Sequence, residues 1–238
     1  MVAMDQAHSP VPLSLGGITD SLFRRRGELF AAIRSDASGR ALAWRMTTYI
    51  ALFAGAYGLV IGTYAGGWQM LYDVVKLPWV LLATLAVSAA SLYVLNALAG
   101  ARMSIPQTLA VVLVALLATV TLLLSMLPVV AFLMFFSDHS YRFAVLVNVV
   151  AFAIAGWCGA RFAVEATASV HEEEGIRRRC VAVMRGWMWL YGLVGLQMAW
   201  LLRPYFRQTD VFIRPLGEGG SVFEAVARLV VHVITGGP

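Results

Sequence analysis

"TLAVVLVALLATVTLLLSMLPVVAFLMFF", Thr108–Phe136, contains no charged side chain. About 20 consecutive apolar residues cross a bilayer as a helix. This run is long enough to span with room to tilt. Pro128, after "LLLSML", is where a bend is expected, because proline removes one backbone donor and crowds the carbonyl four residues back. Four further apolar runs flank it: Met46–Ala65, Leu77–Leu98, Phe143–Ala163 and Trp187–Phe206. The pattern predicts an all-α, polytopic integral membrane protein, a five-helix transmembrane bundle with amphipathic helices at both ends.

Composition agrees. The chain of 238 residues is 60% hydrophobic and 13% charged, against about 45–50% and about 25% in a soluble domain. The first 40 residues hold no continuous apolar run and no short basic n-region, so no signal peptide is expected and the N-terminus is expected to stay on the side of synthesis. The two cysteines, Cys158 and Cys180, make neither a disulfide framework nor a C-x-x-C pair. The net charge of +5 is scattered. It reads as topology signal and lipid-facing charge, and nucleic acid is not an expected partner.

The organisation expected is a disordered tail over residues 1–17, a cytosolic basic amphipathic helix within 18–45, a membrane domain over 46–206, and an external loop with a capping helix over 207–238. In Thr19–Arg34, Ile18, Leu22, Leu29, Phe30 and Ile33 share a helical face, and Arg24, Arg25 and Arg26 lie mainly opposite. Thr19 or Asp20 can cap its start. Such a helix either lies on an anionic membrane surface or packs on the protein's own bundle. "WQMLYDVVKLPW", Trp68–Trp79, has aromatics at both ends and Asp73 and Lys76 between them, and predicts a short interfacial helix. "EATASVHEEEGIRRRC", Glu165–Cys180, spaces Glu173 from Arg177 and Glu174 from Arg178 by four, and predicts a helical hairpin extending two spans beyond the bilayer. In the tail, Ser221 and Glu224 form the S-x-x-E pattern that starts a helix, here one too short to span.

Orientation follows from the basic residues. With the N-terminus inside, Arg24, Arg25, Arg26, Arg34, Arg40, Arg45, Arg102, Arg161, Arg177, Arg178, Arg179 and Arg185 are cytosolic, 12 of the 18 Lys and Arg residues. Lys76, Arg142, Arg203, Arg207, Arg214 and Arg228, the other 6, are external. Positive charge favours the cytosolic side, which predicts five spans of a bacterial cytoplasmic membrane, N-terminus in and C-terminus out.

Catalytic signatures are mostly missing. "HEEEG" at His171 departs from H-E-x-x-H at Gly175, and "GEGGS" at Gly217 lacks the lysine of a phosphate-binding loop. No cofactor or metal is expected. Polar residues within spans are costly and therefore informative. Arg161 is expected to pair with Glu165. Asn96 and Asn148 read as interhelical glue or as pore-lining amides. In and just before "GLQMAWLLRPYF", Gly195–Phe206, the small residues Gly192, Gly195 and Ala199 make a flat face for close packing. Gln197, Trp200 and Arg203 are candidate ligand or pore groups, Arg203 otherwise serving as a snorkelling anchor. Arg24, Arg25 and Arg26 are the candidate lipid-surface residues.

Gln197, Met198, Trp200, Leu202, Arg203, Pro204 and Tyr205 give the chain's last 45 or so residues a likeness. They resemble a group of uncharacterised bacterial multi-pass membrane proteins with a Gln-[Met/Leu]-x-Trp-x-Leu-Arg-Pro-aromatic signature. The five-span, N-in topology is similar to that of the Yip-type membrane proteins, which implies trafficking or membrane shaping by analogy of topology alone. The reading that follows is a non-enzymatic membrane scaffold or accessory subunit. Its expected partners are lipids, anionic on the cytosolic side, and a second copy or another membrane protein. The rival is an oligomeric channel or small-solute pore.

Overall fold

The computed structural model describes residues 15–35, 39–101, 103–136, 141–171 and 173–202. These form seven helices and no strand: α1 (Leu15–Phe23), α2 (Arg26–Ser35), α3 (Gly39–Ala65), α4 (Gln69–Leu98), α5 (Ile105–Phe135), α6 (Tyr141–Val170) and α7 (Glu174–Leu201). Among the described residues four segments are long and apolar enough to cross a membrane: Arg40–Ala65, Gln69–Leu98, Ile105–Phe135 and Phe143–Val170. The fifth apolar run is only partly described, and within α7 its aromatics, glycines and Gln197 make it less apolar than the other four. Arg203, Pro204, Ser221, Glu224 and the predicted external loop and capping helix lie outside the described residues, as does most of the predicted disordered tail.

The five long helices close into a ring. α3 packs on α4 and α5, α5 on α6, and α7 against both α4 and α6. A helix that is apolar all round belongs in the interior, and α5 is the one. Every residue from Ala110 to Ala118 is buried. Its start is capped by Ser104, whose hydroxyl accepts from the Gln107 backbone N–H while the Gln107 side chain accepts from the Ser104 N–H. The helix continues past Pro128 to Phe135.

The single amphipathic helix expected over Thr19–Arg34 is two helices. Thr19 and Asp20 fall inside α1 instead of capping it. The chain turns at Arg24 and Arg25, next to Gly27, which disfavours a continuous helix. Leu22, Leu29, Phe30 and Ile33 are buried, with α1 and α2 against α5 and α2 also against α6. Phe23 meets Phe162 of α6 edge-on, 5.9 Å between centroids. The apolar face of this segment is therefore covered by the protein's own bundle.

The expected interfacial helix at Trp68–Trp79 is also different. It forms the first turns of α4, which runs on through Pro78. Proline at 78 leaves the Val74 carbonyl without its usual donor, and that oxygen lies against Gly55 of α3, 3.3 Å from where a Cβ would stand. One turn along, the Asp73 backbone carbonyl lies against Gly58, and Met70 Cα comes 2.7 Å from the corresponding point on Gly62. Gly55, Gly58 and Gly62 thus form a groove on α3 into which the backbone of α4 settles. Small residues allow this kind of close approach between membrane helices.

Candidate functional site

Beside the stripe that enters this groove, α4 carries a polar face. Gln69, Asp73 and Lys76 stand at i, i+4 and i+7 on α4, one face of a helix. Leu71, Val75 and Trp79 on the other side are exposed. The polar face is turned inward: Asp73 and Lys76 are 0% exposed and Gln69 1%. Gln69 Nε2 donates to Asp73 Oδ1 at 2.8 Å. The Lys76 ammonium lies 5.8 Å from the centroid of the Tyr72 ring, and its charge acts on Asp73. Asp73 Oδ2 is buried with no hydrogen-bond partner among the described residues. Asp73 and Lys76 were expected at the bilayer interface. They are in the interior of the helix bundle, a position where an ionisable side chain is costly and commonly functional.

Asn148 behaves as interhelical glue. Its Oδ1 accepts from the Tyr57 hydroxyl of α3 at 2.9 Å, and its Nδ2 donates to the Ala144 carbonyl at 2.9 Å and meets Met134 Sδ of α5 at 3.1 Å. One amide therefore joins three helices. Asn96, 3% exposed, sits at the far end of α4, and its Oδ1 has no hydrogen-bond partner among the described residues. Register separates the two asparagines. Tyr57 is beside Gly58, which faces Asp73, and Asn96 lies about 35 Å further along α4 at a rise of about 1.5 Å per residue. They do not share a constriction.

On α7, Gln197 and Trp200 are both half-buried and both make contacts. Gly195 faces Thr84 of α4, with Thr84 Cγ2 3.6 Å from the Cβ position, whereas Gly192 has nothing within 4 Å. The small face expected on this helix is therefore engaged at one glycine and open at the other. α7 is joined to α4 by longer side chains. Trp187 Nε1 donates to the Ser88 carbonyl at 2.9 Å, and the Tyr191 hydroxyl donates to the Leu81 carbonyl at 3.1 Å.

The three arginines are exposed and paired. Arg24 and Arg25 lie within 4.0 and 3.5 Å of the Asp20 carboxylate, and Arg25 also approaches Glu28. Arg26 reaches across to α6, with its guanidinium 3.0 Å from Glu165 Oε2 and 5.0 Å from the centroid of Phe162. The partner of Glu165 is therefore Arg26, from a helix 139 positions earlier, and not Arg161 one turn away. In the α6–α7 connection, Glu174 is bonded to Arg178 and Arg177. The Arg178 hydrogen bond holds its carboxyl below the usual carboxylate range. Glu173 caps the helix at the backbone, its carbonyl accepting from the Arg177 N–H. His171 Nδ1 lies 2.8 Å from the Thr167 carbonyl. Among the described residues no three His, Cys, Asp or Glu side chains come together as metal ligands.

The signal that reading by segments misses is a match between neighbours. Gly55, Gly58 and Gly62 on one helix, and Gln69, Asp73 and Lys76 on the next, each line one helical face. The glycines receive the α4 backbone at Gln69, Met70, Asp73 and Val74 and the side chains of Val74 and Pro78, while the Gln69, Asp73 and Lys76 side chains are buried on the adjoining stripe of α4. No protein-family model, curated protein or solved structure matches the chain.

Proposed function

We propose that this protein is a non-enzymatic integral membrane scaffold or accessory subunit, which works by holding partner proteins or lipids and not by turning over a substrate. The observation that carries the reading is how its membrane-embedded polar groups are used. Asn148 and Tyr57 join α3 to α6, and Trp187 and Tyr191 fasten α7 to α4. These groups bond helix to helix. The α1–α2 segment clamps the bundle at one end through Arg26 and Glu165, which suits a rigid platform. In this reading α7 is the fifth span, the chain sits in a bacterial cytoplasmic membrane with its N-terminus in the cytosol, and Arg24 and Arg25 face anionic headgroups. Self-association or a membrane-protein partner completes the assembly.

One observation favours the rival, a pore or solute path: Asp73 is buried with Gln69 and Lys76, and its Oδ2 has no hydrogen-bond partner among the described residues. The two readings separate in a single preparation. The purified full-length chain is reconstituted in liposomes under potassium and chloride gradients. In parallel, its assembly in the native membrane is sized by cross-linking and mass analysis. The scaffold reading expects flux equal to empty liposomes and a cross-linked species of fixed stoichiometry. Flux above empty liposomes that falls with Asp73→Asn would establish the pore instead.

A further inference from the structure

A carboxylate has two oxygens, each of which seeks donors when it is taken out of water. Asp73 has one of them satisfied, Oδ1 by Gln69 Nε2 at 2.8 Å. Oδ2 is equally buried and has no hydrogen-bond partner among the described residues. The side chain as a whole is 0% exposed, so solvent does not make up the deficit.

The surroundings restrict what does. α3 presents glycines at this level, Gly55, Gly58 and Gly62, with no titratable side chain among them. Of the tyrosines of α3, Tyr57 donates to Asn148, and Tyr64 packs its ring against that of Phe135 and has a buried hydroxyl that does not donate to Asp73. α5 carries no charged residue between Ile105 and Phe135. The charged residues of α7 run from Glu174 to Arg185 in its first half. Arg179 lies 3.6 Å from the Cβ position of Gly100, so that half stands at the opposite end of α4. Lys76 is therefore the one charge facing Asp73 among the described residues, three positions along the same helix. A metal cation needs several oxygen ligands, and the ammonium beside this single carboxylate repels one. A proton needs only the free oxygen.

We propose that Asp73 is a reversible proton-binding site inside the membrane domain, Oδ2 taking and releasing the proton beside the positive charge of Lys76. The step is an association only: a proton adds to a carboxylate lone pair and leaves by the same bond. The site acts at the seam where α4 is closest to α3, because the Asp73 backbone carbonyl rests on Gly58. A charge appearing there without a donor for Oδ2 favours an opening that admits water. Proton occupancy is thus linked to how tightly the two helices close. The inference is independent of whether the whole protein is a scaffold or a pore.

Infrared difference spectroscopy of the full-length protein in lipid tests it, titrated between about pH 3 and 9, a range bracketing ordinary and strongly shifted carboxyls. A protonated-carboxyl C=O band that appears and disappears reversibly, and is absent in Asp73→Asn, is the expected result. Asp73→Glu should keep the band at a displaced frequency, which assigns it even where the Asn variant does not fold. Lys76→Met should move the titration to higher pH, because losing a neighbouring positive charge favours the neutral acid. No band at any pH, a band that never titrates, or one unchanged by both Asp73→Asn and Asp73→Glu would overturn the proposal.

Discussion

Tyr57 on α3 donates its hydroxyl to Asn148 Oδ1 on α6 at 2.9 Å, and the same amide donates to Ala144 and reaches Met134 of α5. Interhelical hydrogen bonds within membranes contribute about 0.6 kcal/mol on average and up to about 1.7. Tyr57→Phe removes the donor and keeps the ring on Phe152, whose centroid lies 5.7 Å away. Its expected cost is in that range. Asn148→Ala should cost more, since it also frees Met134. A double-mutant cycle in detergent unfolding is the measurement, and strictly additive losses would show that the bond contributes nothing.

The α3–α4 seam gives a steric prediction. A Cβ at Gly58 would overlap the Asp73 carbonyl, and one at Gly62 would stand 2.7 Å from Met70 Cα. The opposing atoms are backbone and cannot swing aside. Gly58→Ala should destabilise by about 1–3 kcal/mol, the usual cost of overpacking. Gly192→Ala is the control, since nothing lies within 4 Å there. It should be neutral or stabilising by up to about 1 kcal/mol from helix propensity. Equal effects at both positions in thermal unfolding would remove the close-approach account of the seam.

Arg26 and Glu165 yield a prediction about the N-terminal clamp. Both side chains are about half exposed, 44% and 50%, so the pair itself is worth about 1 kcal/mol or less. Docking rests on Leu22, Leu29 and Ile33, all essentially solvent-free. Leu29→Ala should therefore cost about 2–5 kcal/mol, while Arg26→Gln costs little. Combining Arg26→Glu with Glu165→Arg should restore what Arg26→Glu alone loses. Protease accessibility of the α1–α2 segment in the full-length protein reports both. Strong release by Arg26→Gln with little effect of Leu29→Ala would reverse the ranking and favour an electrostatically held surface helix.

These residues also mark what a single sequence reveals. The apolar run Thr108–Phe136 is one continuous helix long and apolar enough to span, as read, because length and absence of charge are local properties. The capping pair Ser104 and Gln107 is equally local, although it stands just before the apolar run. Asp73 and Lys76 read as interfacial because the exposed Trp68 and Trp79 dominate the segment's composition, while their burial depends on which helices pack around α4. Glu165 was assigned to Arg161 by proximity in sequence, whereas its partner depends on where a separate helix docks. Asn148 was read as glue from its cost in a membrane, but Tyr57 could be named as its partner only once α3 and α6 were known to pack at that level.

The last prediction concerns α7 and the side of the membrane on which the chain ends. α7 lies antiparallel to α4 along most of its length, from Arg179 beside Gly100 to Gly195 against Thr84. Its 28 residues extend about 42 Å at about 1.5 Å per residue, more than the roughly 30 Å hydrocarbon core. Four arginines, Arg177, Arg178, Arg179 and Arg185, all lie in the first half, and no charge follows as far as Leu202. A helix bound in this register to two neighbours long and apolar enough to span, with its positive charges gathered at one end, should cross with them. Cysteines introduced at Ser35 and Ser221, in a chain with Cys158→Ser and Cys180→Ser, are then expected to react with a membrane-impermeant reagent from opposite sides. Labelling of Ser221→Cys from the same side as Ser35→Cys would mean an even number of crossings. α7 would then be a peripheral helix, and the five-span bundle would reduce to four.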